Sequence, residues 1–301
     1  MSNSTTAFIA IVGRPNVGKS SLLNCMVGSK VAIVSDKPQT TRTRIMGVLT
    51  EEECQLVFTD TPGQHRARNR LDEFMRRSIS EAMSDTDVCI LVAEPTAKIG
   101  DEEKGLLRRL KNDDTPTVLV INKTDTVEDK SALLALIQMW SEEFAFESIF
   151  PVSAKTGDGV KELVAHLKSF AMESPHFFPD DALTDQPERV LAAEVVREKT
   201  LHLLQHEVPH GIAVVIENWD EGETAKGTPI IDIGATIVCE RETHKGIVIG
   251  KRGAMLRAIG TAARVELEEI LDSKVNLQCW VKVKEDWRNR AGQLQNFGYT
   301  L

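Results

Sequence analysis

Four short stretches carry residue types that suit phosphate and purine chemistry. Gly13-Arg14-Pro15-Asn16-Val17-Gly18-Lys19-Ser20 is a GxxxxGKS loop. Its glycines let backbone N–H groups wrap phosphates, and Lys19 can reach the β- and γ-phosphates. The Ser20 hydroxyl, next to Ser21 in a helical segment, can ligate Mg²⁺. Asp60-Thr61-Pro62-Gly63 offers a carboxylate for the same cation, through water, and a Gly63 N–H that can sense a γ-phosphate. In Asn122-Lys123-Thr124-Asp125, the Asp125 carboxylate can accept from guanine N1–H and the exocyclic amine, a pair that adenine does not offer. Ser153-Ala154-Lys155 can present a backbone N–H to the guanine carbonyl. Taken in this order, the four imply binding and hydrolysis of GTP.

A fifth stretch points to another ligand. Ile249-Gly250-Lys251-Arg252-Gly253 contains a GxxG turn, whose glycines allow backbone to approach phosphates while Lys251, Arg252 and nearby Arg257 add charge. The chain holds 36 Lys and Arg against 45 Asp and Glu, a net −9. That average argues against coating nucleic acid with the whole surface. Residues 241–301, however, carry eleven basic against seven acidic residues, or +4, which leaves −13 for the first 240. Such a turn is the signature of KH domains, where it clamps about four single-stranded nucleotides.

These groups need a scaffold, and the apolar pattern supplies one. Strand-length runs at Phe8–Val12, Gln55–Thr59, Val88–Val92, Thr117–Ile121 and Ile149–Val152 alternate with helical patterns. Leu71, Phe74, Met75, Ile79, Ala82 and Met83 share one helix face, as do Leu106, Leu107 and Leu110, and then Leu133, Leu134, Ile137 and Phe144. Alternation of this kind predicts a mostly parallel sheet with helices on both faces and ligand sites at the strands' carboxyl ends. Ser174–Asp181, with two prolines, reads as a linker. Beyond it come a helix over 188–206, strands over 212–219 and 231–240, the GxxG turn, a helix over 254–271 and a strand over 275–283. The predicted division is a G domain over 1–173, a linker over 174–186 and an α+β type II KH domain over 187–301.

The motifs GRPNVGKS, DTPG, NKTD and SAK resemble the translation-factor-related GTPases. Pro38-Gln39-Thr40-Thr41-Arg42-Thr43-Arg44 and the ending Trp280–Arg288 resemble the Era family in particular. The resemblance implies Mg²⁺-dependent hydrolysis of GTP to GDP, with Thr41 as second metal ligand and Thr40 as the competing choice. It also implies K⁺ near Asn16, for which a local loop role is the alternative. The implied partner is the 3′ end of small-subunit (16S) ribosomal RNA, with a role in assembling the 30S subunit. A monomer is expected, cytoplasmic, with peripheral association at the inner membrane. One residue departs from the pattern: Gln64 stands where the Era family usually carries an apolar side chain. Either Gln64 orients the attacking water, or it is an exposed switch residue and other groups position the water. Arg14, Arg42 and Arg44 are candidates for an arginine finger, though each also reads as a switch or surface residue.

Other features bound the reading. No apolar run approaches the ~20 residues that cross a bilayer, and the N-terminus lacks a basic region ahead of its apolar segment. Five dispersed cysteines without a CxxC read as reduced core thiols. His202 and His206 read as a solvated helix face, and Trp280 as core packing. Two rival readings remain: a signalling switch whose KH unit is a scaffold for a protein partner, and the GTPase subunit of an RNA-modifying enzyme.

Overall fold

A computed structural model describes residues 4–64, 67–84, 86–96, 98–129, 131–204, 211–224 and 227–299. Its chain packs into two compact units. Met1–Ala32, Thr41–Ala67 and Met75–Asp185 form the first; Ile33–Thr40, Arg68–Phe74 and Gln186–Leu301 form the second. Two short segments expected in the G domain, 33–40 and 68–74, thus pack with the C-terminal half.

In the first unit, β1 (Thr5–Gly13), β3 (Cys54–Asp60), β4 (Val88–Ala93), β5 (Thr117–Ile121) and β6 (Ser148–Pro151) run parallel. Their order is β3-β1-β4-β5-β6. Because side chains alternate along a strand, Ile9 and Ile11 of β1 face one core while Ala10 and Val12 face the other. The first core packs α1 (Lys19–Val27) and α5 (Val160–Leu167), the second α2 (Arg70–Ser84), α3 (Asp101–Asn112) and α4 (Ser131–Glu143). Both faces are covered, which is why the strands are continuously apolar.

Several elements differ from expectation. β2 (Ile45–Glu51) lines β3 antiparallel at the sheet edge, and a two-residue β7 (Met172–Glu173) pairs antiparallel with Thr5 and Thr6. On α4, Leu134 is 71% exposed; the inward face is Leu133, Leu136, Ile137 and Trp140. Residues 174–185 lie strapped to the sheet rather than free. Buried Gln55 accepts the N–H groups of Phe177 and Phe178 and donates to the Phe178 carbonyl. Val48 N–H donates to the Leu183 carbonyl and Thr184 Oγ1 to that of Met46.

The second unit contains α6 (Glu188–Leu203), β8 (Ala213–Glu223), β9 (Pro229–Cys239), α7 (Glu242–Ile249), α8 (Ala254–Ile270), β10 (Lys274–Val283) and α9 (Ala291–Asn296). Its sheet runs β10-β9-β8, with β10 parallel and β8 antiparallel to β9. Ala192, Val195 and Val196 of α6 and Ile259, Ala263 and Leu267 of α8 pack on one sheet face. The apolar run before the GxxG turn is the end of a helix, α7, hidden from sequence reading by weak helix formers such as Thr243 and Gly246. Trp280 is not core: it is 44% exposed, sharing the outer face of β10 with Lys274, Asn276, Gln278 and Lys282. His206 lies outside the described residues. Its predicted companion His202 is more than solvated, placing Nε2 2.8 Å from the Val34 carbonyl. All five cysteines are free thiols; burial pushes Cys89 up to about 12 and Cys279 up to about 11. Among the described residues no helix is long and apolar enough to cross a membrane.

Candidate nucleotide site and nucleic-acid turn

β1 ends in Gly13, and the chain turns through Arg14, Pro15, Asn16 and Val17 before α1 begins at Lys19. Gly18 caps that helix at φ 95°, and a Cβ there would lie 2.3 Å from Asn122 Nδ2, so only glycine fits. Asn122 braces three motifs at once. Its Nδ2 donates to the Val17 carbonyl (2.9 Å) and its Oδ1 accepts from Ala154 N–H (3.0 Å). Lys19 is 6% exposed and donates to the carbonyls of Arg14 (2.9 Å) and Gly13 (3.3 Å). Burial lowers it to about 8, although nearby Asp60 acts in the opposite sense.

The three predicted metal ligands converge. Ser20 Oγ donates to Asp60 Oδ2 at 2.5 Å and lies 2.9 Å from Thr41 Oγ1, which is 3.5 Å from the same carboxylate oxygen. Thr40 turns its hydroxyl elsewhere, toward Ser35 Oγ (2.7 Å) and the Lys37 carbonyl (2.6 Å). Burial pushes Asp60 up to about 6, against the opposing pull of Lys19, Ser20, Thr41 and the Thr61 N–H. Its Oδ1 is buried with no hydrogen-bond partner. An orphaned carboxylate oxygen beside two hydroxyls is a hard oxygen set, which suits Mg²⁺. Ser21 is half-buried on α1; Thr61 Oγ1 donates to the Ile11 carbonyl, and Pro62 and Gly63 are buried beside it. Gln64 N–H donates to the Gly13 carbonyl at 3.0 Å, setting that residue against the phosphate loop.

On the base side, Ser153 Oγ donates to Asp125 Oδ1 at 2.7 Å and so orients the carboxylate. Lys123 Nζ donates to the Asn16 carbonyl (2.6 Å) and to Glu94, while Lys155 is exposed. Glu94 escaped sequence reading, as did Glu103. The latter is buried on α3, pairs with Arg14 Nε at 2.5 Å and accepts the Gly100 N–H. Glu94 follows β4 directly, so the strand-end rule that located the motifs also points to it. Of the finger candidates, Arg14 is held by Glu103, Arg42 is 2% exposed, and Arg44 faces solvent.

In the second unit Gly250 (φ 71°) packs so that a Cβ would meet Met255 at 2.7 Å, while Arg252 (φ 53°) and Gly253 (φ 77°) complete the turn into α8. Ile249 is half-buried; Lys251, Arg252 and Arg257 are exposed. A groove of about 320 Å³ runs from Gly253 along α8 to β10, lined by Leu256, Arg257, Arg264 and Leu277 among others.

Residues 8–123 match the 50S ribosome-binding GTPase family, and residues 207–288 match the KH domain family. The GTPase Era of Clostridioides difficile is 47% identical over 98% of both chains. That of Geotalea uraniireducens is 46% identical over 98% of this chain and 97% of its own. A crystal structure of Aquifex aeolicus Era bound to GDP and AlF4⁻ superposes at TM-score 0.94, with 38% identity over 99% of this chain and 100% of its own. Era in complex with MgGDPNP and nucleotides 1506–1542 of 16S ribosomal RNA superposes at TM-score 0.93, with 37% identity and the same coverage. With a GTPase family match over residues 8–123, a KH match over residues 207–288 and similarity to these proteins along its whole length, the chain belongs to the Era GTPase family.

Proposed function

We propose that this Era-family GTPase hydrolyses GTP at the first-unit site, binds the 3′ end of 16S ribosomal RNA at the GxxG turn, and acts in assembly of the 30S subunit. The convergence of Ser20, Thr41 and the orphaned Asp60 Oδ1 supports the nucleotide half. In this reading Ser20, Thr41 and Asp60 hold Mg²⁺, which supplies charge neutralisation on the phosphates when bound. Lys19 and the N–H groups of 13–20 hold the phosphates, and Gly63 N–H meets the γ-phosphate. Gln64 orients the water that attacks γ-phosphorus; the bond to GDP breaks and the water's proton passes to phosphate. Asp125, set by Ser153, reads guanine, while the Ala154 region faces its carbonyl and Asn122 braces the loops. Asn16 is the proposed neighbour of K⁺.

The RNA half is supported by exposed Lys251 and Arg252 on a turn that ends at Gly253, where an added Cβ would meet nothing within 4 Å. Arg257 and the groove beyond extend it. The related Era complex with 16S nucleotides supports the choice of RNA. A cytoplasmic location follows from that partner, with peripheral membrane contact as the finer proposal. Crosslinking in cells tests the whole: wild type should recover the 16S 3′ end, and random RNA would defeat the assignment. Gln64→Leu should lower GTP turnover about tenfold or more with nucleotide affinity unchanged; unchanged turnover removes Gln64 from the chemistry.

A further inference from the structure

Helix α6 spends two buried charges on main-chain atoms of segment 33–40, with which it shares a compact unit. Arg197, 1% exposed, donates from Nη2 to the Thr40 carbonyl. Glu194 neutralises it, accepting from Nε at 2.8 Å and Nη2 at 2.5 Å, while Nη1 is buried with no partner. Its neighbour Glu198, also buried, accepts the Val34 N–H at 2.8 Å. One turn on, His202 Nε2 reaches the Val34 carbonyl. Both ends of the segment are therefore gripped by one face of α6.

An ion pair that buries its arginine fully, with one donor stranded and the glutamate only half-buried, is a poor device for stability, since apolar residues of like volume serve as well or better. Its grip falls on backbone, so it reads the segment's conformation and not its side chains. The captured carbonyl belongs to the peptide that joins Thr40 to Thr41, whose hydroxyl lies 2.9 Å from Ser20 Oγ. We propose that Arg197, supported by Glu198, is a positioning residue that clamps segment 33–40 and thereby holds the Thr41 hydroxyl in the metal site, favouring GTP over GDP. The proposal rests on the reading of Thr41 as a magnesium ligand. Linkage makes the effect reciprocal: bound Mg²⁺ and GTP strengthen the clamp by the factor with which the clamp strengthens them.

The test measures equilibrium affinity of the full chain for a non-hydrolysable GTP analogue and for GDP, each across a Mg²⁺ titration. Arg197→Met should weaken the analogue about tenfold, the worth of one hydrogen bond to a charged group, and leave GDP within about twofold. Glu198→Gln, which keeps an acceptor oxygen but loses the charge, should shift the same ratio about threefold. Thr41→Ala should abolish the preference, with Arg197→Met adding nothing on top of it. Equal losses for both nucleotides, or none, overturn the clamp, as does full additivity with Thr41→Ala. If Thr41→Ala keeps the preference, the metal-ligand reading fails and the clamp falls with it. If Thr41→Ala loses the preference and Arg197→Met keeps it, the clamp alone falls. Should Arg197→Met yield no folded protein, the Glu198→Gln ratio decides by the same criterion, an unshifted ratio being fatal.

Discussion

The loop Gly13–Gly18, which leads into Lys19, and the turn Gly250–Gly253 are built alike and used differently. Each ends on a left-handed glycine, Gly18 or Gly253, that caps the following helix without a side-chain bond. Around the first, the charges are buried: Lys19 and Asp60 face one another inside the protein, fixed by Ser20 and the loop carbonyls. Around the second, Lys251 and Arg252 stand in water. Buried charge is held to one geometry and demands one ligand arrangement, whereas exposed charge attracts any phosphate chain and is screened by salt. The first loop should therefore answer to substitution and pH, the second to ionic strength.

The largest expected effect breaks the first loop. Lys19→Met should lower GTP turnover by about 10²-fold or more, the scale of removing one preorganised transition-state donor; single-turnover kinetics measure it. A loss near twofold would mean that the buried lysine does not touch the reaction. Next, replacing Lys251 and Arg252 together with Asp should weaken single-stranded RNA binding at least about tenfold near 0.1 M salt. Replacing both with Ala should reduce the log–log salt slope by about 1.4, at ~0.7 per phosphate contact. GTP turnover without RNA should not change in either variant, and an RNA affinity that is unchanged and insensitive to salt would sink the RNA reading. The smallest effect sharpens the contrast through pH. Folded Asp60 keeps its proton up to about 6, above its ordinary value of 3.8, so its burial costs stability increasingly as pH rises through that window. Lys19, lowered to about 8 from 10.5, gives stability back as pH rises from 8 toward 10.5. Denaturant midpoints of the metal-free, nucleotide-free chain should show this, with Asp60→Asn removing the lower step.

Much of the nucleotide site was legible because its chemistry is contiguous. Each motif sits at the end of an apolar strand, and strand plus motif is a local pattern. Thr41 over Thr40 was not decided by pattern, since neighbouring residues differ only in which way their hydroxyls turn. β2 was missed because Thr50, Glu51 and Gly47 dilute an edge strand. Trp280 was misplaced although its parity with Lys274 and Lys282 marked the outer face; aromatic bulk outweighed period-two spacing. Arg197 and Glu198 left no sequence signal, because adjacent charged residues on a helix read as solvated until the segment at 33–40 is seen against them.

Strand β1, made before both of its parallel neighbours, lies in the middle of its sheet and bonds to β3 and β4. About 80 residues separate Gly13 from Val92, the last β4 residue in its register. At roughly 5–20 residues per second, synthesis needs on the order of 4–16 s to supply both neighbours. Until β3 is made, Phe8-Ile9-Ala10-Ile11-Val12, uncharged and without proline, has no parallel partner, and until β4 is made one of its edges stays unpaired, which is the composition and setting of an aggregation-prone segment. The strand that delivers the phosphate loop thus waits on partners made well after it, and its exposure during synthesis is a hazard separate from the stability of the finished fold.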